Sequence, residues 1–163
     1  MIKNSHYVFI LIIYIAFLSG CRPSAEYPRM NEVDGVKLNL LEAISEPVQS
    51  QISSYYKSLP AILKEKDAEK MISYFSKDFL GPNSETYEKI KEQLPLQYEK
   101  ATEIQYEASN ITVYKKGSLI VSQNDFTTTV SRVDNSKDSL SGQEQIFWIQ
   151  ESSRLKIIHW EKL

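Results

Sequence analysis

The residues able to do chemistry are few, and their types limit what that chemistry can be. Cys21 is the only cysteine of the 163 residues, so no disulfide can form within the chain. There are two histidines, His6 and His159, too few for a multi-histidine metal centre. No cysteine cluster, glycine-rich phosphate loop or Ser-His-Asp set is present, so neither a metal nor another cofactor is expected. What remains is carboxylate and phenol chemistry. A carboxylate buried in an apolar pocket has a raised pKa and can transfer protons. Asp78 is one candidate, although its place at a helix end also suits a cap or a turn. Ten tyrosines, six phenylalanines and two tryptophans fit a lined cavity, an interface or a well-filled core.

Lys3 supplies a positive start, and Tyr7 to Leu18 is an apolar run of twelve residues followed by the small residues Ser19 and Gly20. This pattern is an export signal with a cleavage site. It is short of the roughly 20 apolar residues that a spanning helix needs, and Arg22, Ser24, Glu26 and Arg29 follow at once. Leu18-Ser19-Gly20-Cys21 resembles the bacterial lipobox, in which the cysteine is acylated and becomes the new N-terminus. The resemblance implies a signal peptide over residues 1–20, a lipid on Cys21 and attachment to the cell envelope. Several acyl chains, each buried methylene adding about 0.8 kcal/mol, hold a protein firmly at a membrane. Arg22 stands where some Gram-negative lipoproteins carry an aspartate retention signal, which implies the outer membrane, facing periplasm or surface, where the organism has two membranes.

The full chain carries a net charge of −2 and has no basic stripe, which argues against nucleic acid as a partner. Residues 21–163 suffice for one domain with its own core. Residues 21–44 contain Pro23, Pro28 and Gly35 without a sustained period and read as a lipidated tether, with Val36, Leu38 and Leu40 hinting at a short strand. The single domain is expected over 45–163.

A helix is expected from Ser45-Glu46-Pro47, with serine as cap and proline in the first turn. Val48, Ile52, Tyr55, Tyr56, Leu59, Ile62 and Leu63 form its apolar stripe, and Pro60 is expected to kink or restart it. Asp67 is placed to cap a short second helix through Met71 and Ile72. A third begins near Ser84 and ends near Pro95 or resumes to Lys100. After Ala101 the period falls to 2. The phase slips at Ser109-Asn110, the signature of a bulge. Leu119–Val133, Gln143–Gln150 and Arg154–Lys162 complete a four-strand meander. In the last two strands both faces are apolar, with Phe147 and Ile149 opposing Ile146 and Trp148. That pattern motivates a homodimer through the sheet face.

The fold class is therefore α+β: N-terminal helices packed on a curved, bulged antiparallel sheet of about four strands. Lys64-Glu65-Lys66-Asp67 and Phe75-Ser76-Lys77-Asp78-Phe79, followed by a helix and long bulged strands, resemble the nuclear-transport-factor-2-like fold, which includes ketosteroid isomerase and polyketide cyclases. A cystatin-like domain is the alternative. The resemblance implies a cone with a cavity between helices and sheet. Ligand contacts are then expected from Tyr55, Tyr56, Tyr74, Asp78, Tyr106, Ser122, Asn124 and Trp148. Isomerase chemistry needs a carboxylate base and tyrosine donors on the cone wall. Of Glu103, Glu107, Asp125 and Glu144, the first two alternate away from the apolar face, and Asp125 is the least unsuitable base. No catalytic constellation stands out. The expectation is a non-enzymatic envelope lipoprotein holding a small apolar ligand or a partner protein in its cone. The alternatives are an isomerase- or cyclase-like enzyme, or an immunity or assembly protein using its sheet face.

Overall fold

The computed structural model describes residues 29–163. Leu18–Cys21, where lipid attachment is expected, lies outside them. The elements are β1 (Arg29–Val33), β2 (Val36–Leu40), α1 (Glu46–Glu65), α2 (Ala68–Ile72), α3 (Tyr87–Lys100), β3 (Ala101–Lys116), β4 (Leu119–Arg132), β5 (Lys137–Glu151) and β6 (Arg154–Lys162). The strands form one sheet in chain order. Its neighbours are antiparallel except β2 and β3, which run parallel.

The sheet has six strands rather than about four, because an N-terminal hairpin occupies part of the segment expected to be tether. Asp34 and Gly35 both take positive φ, 52° and 82°, the two-residue turn whose twist matches the flanking strands. Leu38 and Leu40 of β2 are buried, and Asn39 and Leu40 pair with Thr112 and Val113 of β3. The ordered fold thus begins well before Ser45.

Helix α1 runs unbroken through Pro60. The proline ring is on the exposed side, while Ile52, Tyr55, Tyr56, Leu59 and Ile62 are buried on the other. Ser45 precedes the helix, but its side chain makes no capping bond. Asp67 does cap α2, accepting from the Lys70 amide at 2.9 Å. Helix α3 starts at Tyr87 behind Thr86 and continues past Pro95 to Lys100.

Of three register shifts in the sheet, one of them at Ala101–Glu103, two set which residues enter the core. The β3–β4 register shifts between Ser109 and Thr112, where Asn110 takes φ 53°. This is the expected phase slip, and it lets Tyr106 and, beyond it, Ile111 and Val113 all enter the core. A second shift lies between β5 and β6, where Phe147 pairs with His159 but Trp148 pairs with Ile157. Ile158 is the extra residue, so Ile157 and Trp160 share the inner face and His159 turns outward. Strict alternation along the strand would instead place His159 on one face with Leu155 and Ile157. Outside, the Lys116 ammonium lies 5.3 Å from the Phe147 ring centroid and the His159 ring packs beside it, which buries Phe147 within the chain. Strand β5 also begins at Lys137, earlier than expected. Its hydroxyls continue the ladder: Ser141 bonds Thr127 and Ser139 bonds Thr129.

The free edge of β6 is covered by the segment after α2. The Ile157 amide donates to the Tyr74 carbonyl at 2.8 Å, the Ser76 amide to Ile157 at 2.9 Å and the Leu80 amide to Ile158 at 3.0 Å. Those bonds satisfy an edge that would otherwise template pairing with another chain.

Candidate binding cavity

Helices α1 and α3 and the concave side of the sheet line a cavity of about 140 Å³. Helix α1 brings Tyr55, Leu59 and Leu63 to it, α2 and its exit bring Met71 and Phe75, and α3 brings Ile90, Leu94 and Tyr98. Tyr106, Thr128, Val130, Glu144, Ile146, Ile157 and Trp160 form the sheet side. The wall is therefore mostly hydrocarbon and aromatic, with a few polar groups at fixed places, the usual composition of a small-molecule site.

One of those groups is a carboxylate. Glu144 on β5 is only 4 % exposed. Its Oε1 accepts from the Tyr106 hydroxyl at 2.5 Å and from Asn124 Nδ2 at 3.0 Å, and its Oε2 accepts from Trp160 Nε1 at 2.9 Å. Behind this set, the Tyr56 hydroxyl donates to Asn124 Oδ1 at 2.7 Å and lies 2.9 Å from Ser122 Oγ, to which Trp148 Nε1 also donates at 2.9 Å. A buried polar chain of this kind orients its members strongly because each depends on the next.

Burial, and next the nearby Glu144 charge, push the Tyr55, Tyr56 and Tyr106 phenols well above their ordinary pKa; at Tyr56 the Ser122 bond opposes this slightly. The three phenols are held protonated, and Tyr56 and Tyr106 act as donors. Burial, and secondarily Asp67, raise Tyr98 as well. Three polar atoms of cavity-lining residues have no hydrogen-bond partner among the described residues: the Tyr98 hydroxyl, Thr128 Oγ1 and Gln93 Oε1. Such atoms cost free energy unless something bonds them.

The residues expected at the site separate into three groups. Tyr55 and Tyr106 line the cavity. Asn124, Tyr56, Ser122 and Trp148 stand one layer behind, holding Glu144 or packing Tyr55, whose ring meets Trp148 edge-on at 5.0 Å. Tyr74 supports Tyr55 from the other side, ring to ring at 4.9 Å, with its hydroxyl 3.0 Å from Ser58. Asp78 is exposed in the turn after α2, where its amide donates to Ser76 Oγ at 3.1 Å, and it does not line the cavity. Asp125 is not a pocket base either. It lies on the outer face, where bonds from Asn110 and then Gln143 hold its carboxyl below the usual range.

Glu144 takes the place in the cavity that Asp125 does not. Its signal was in the sequence, since Glu144, Ile146 and Trp148 share parity on β5. Trp160 was hidden by the Ile158 bulge.

No protein-family model and no curated protein matches the sequence. Solved structures do match in shape. A scytalone-dehydratase-like protein from Novosphingobium aromaticivorans superposes with a TM-score of 0.63 at 14% identity, covering 71% of this chain and 82% of its own. A nuclear-transport-factor-2-like protein from Salmonella enterica gives 0.60 at 15% identity, covering 71% and 89%. A hexachlorocyclohexane dehydrochlorinase gives 0.60 at 9% identity, covering 71% and 84%. At these identities the likeness is one of architecture: the chain has the nuclear-transport-factor-2-like fold.

Proposed function

We propose that this protein is a lipid-anchored protein of the bacterial cell envelope whose cone binds one small, mainly apolar molecule. The observation that carries the reading is the cavity of about 140 Å³ with an apolar wall and the fixed polar groups of Glu144, Tyr98 and Thr128. An apolar cavity of about 150 Å³ accepts a benzene-sized ligand, so the occupant is a single-ring molecule. The anchor rests on Leu18-Ser19-Gly20-Cys21. Native mass spectrometry of the full chain is expected to show a retained small ligand, or saturable uptake of a single-ring compound; neither retention nor uptake would refute the binding reading. Cys21→Ser is expected to abolish metabolic labelling by palmitate, and labelling that persists would refute the anchor.

The carboxylate–tyrosine contact favours a second reading, an isomerase- or cyclase-like enzyme. Its weakness is that Glu144 Oε1 already accepts two donors, which leaves that oxygen no free position facing a substrate. Turnover of any substrate lost in Glu144→Gln while binding persists would favour the enzyme. A homodimer through the outer sheet face is a separate proposal. Half-buried Ile149 and Ile158 support it, and light scattering that shows only monomer at high concentration would remove it.

A further inference from the structure

We infer that the cone selects a small apolar amine, with the protonated nitrogen bonded to Glu144 and the ring against the hydrocarbon wall. The inference rests on the ligand-binding reading and adds the chemical class of the ligand.

The reasoning begins with an imbalance of charge. Glu144 is nearly fully buried and lines the cavity, and it makes no ion pair among the described residues. Its three donors, Tyr106, Asn124 and Trp160, are all neutral. A carboxylate taken out of water without a counter-ion is costly, and hydrogen bonds from neutral groups offset only part of that cost. The cations nearby are committed elsewhere. Lys162, opposite Glu144 in the β5–β6 register, sends its ammonium over the Phe126 ring at 5.8 Å. Arg132, which also lines the cavity, is paired with Asp138 at 2.9 Å.

The geometry leaves room for a ligand cation. A carboxylate oxygen can accept two bonds; Oε1 is full, whereas Oε2 accepts only Trp160 Nε1. An ammonium entering the cavity would complete Oε2 and supply the missing charge. The Trp160 and Tyr55 rings line the same cavity, and aromatic rings attract a desolvated cation. The Tyr98 hydroxyl on α3 and Thr128 Oγ1 on β4, without a partner among the described residues and only 6 % and 7 % exposed, would take a polar substituent on the same molecule.

Calorimetric titration of the purified full chain with benzylamine, benzyl alcohol and toluene, with the Trp160 indole proton followed by NMR, tests this. The three probes have nearly equal bulk and differ in charge and hydrogen bonding. Benzylamine is expected to bind about tenfold or more tighter than benzyl alcohol, the gain of a charge-assisted over a neutral bond, and to shift the Trp160 resonance. Glu144→Gln is expected to erase that preference while leaving benzyl alcohol binding in place. Equal binding of amine and alcohol, or an amine preference that survives Glu144→Gln, would overturn the amine class and leave the cavity reading intact. If none of the three probes binds, both fail. The wild-type comparison decides the matter even if the variant does not fold.

Discussion

Tyr106 and Glu144 depend on each other. The phenol donates to the buried carboxylate, and burial together with the Glu144 charge keeps the phenol protonated. Removing the hydroxyl leaves Oε1 with Asn124 alone, so Tyr106→Phe is expected to cost about 1–3 kcal/mol, read as a lower urea midpoint. A neutral outcome would mean that Glu144 is not held as described. The raised tyrosines also set an alkaline limit. Their folded pKa values lie above the ordinary 10.0, so the unfolded chain releases those protons first. Their contribution is fully present below 10.0 and is lost as pH rises beyond it towards the folded values. Unfolding free energy measured from about pH 9 to 11 is expected to fall, and a flat profile would contradict the burial. At this scale Tyr55, Tyr106 and Asn124 were legible because they sit on a single helical or strand phase. Glu144 shared its parity with Trp148, but composition could not show that three neutral donors would converge on it from different strands.

Among the elements, the legible features were those encoded by local sequence. The α1 stripe, the Asp67 cap and the phase slip at Asn110 each follow from neighbouring residues. The Ile158 bulge was not legible, because Ile157 and Ile158 are both apolar and either could continue the inner face. The Asp34-Gly35 hairpin carried a recognisable turn pair, but its strands are short and draw their stability from pairing with distant β3. Pro60 shows the opposite conflict, with tertiary burial of Tyr56 and Leu59 on one side overriding a breaker exposed on the other. A proline inside a helix removes one backbone bond and costs about 3 kcal/mol. Pro60→Ala is therefore expected to raise stability by about 1–3 kcal/mol, measured by the same urea titration; destabilisation would show that the helix needs the proline's local distortion.

For the whole molecule, the α+β class and the cone follow from three helices preceding a bulged meander, and the order of elements alone carries that much. The size of the cavity does not follow from it. A cone of this fold can be filled or empty depending on whether residues such as Ile90, Leu94 and Ile146 meet across it, and their separation depends on sheet curvature rather than on any local pattern. Function is less legible still, since one fold serves many activities and the site here consists of neutral donors around one acid.

The clasp on β6 bears on the order in which the molecule can be made. This strand is translated after every other wall of the cavity, yet it supplies Ile157 and Trp160 to the lining. It gives the Tyr74–Leu80 segment its backbone partners and ties to α1, where Gln51 bonds the Leu155 amide and the Ser153 carbonyl. A nascent chain that stops short of Arg154 thus lacks the partners of Gln51 and of the Tyr74–Leu80 segment. Closure comes as one late event, with the contacts farthest apart in sequence made together, a slow kind of step because distant segments must meet before any reward is gained. Under the envelope-anchor proposal, in which the chain crosses a membrane before it compacts, such a delay is an advantage.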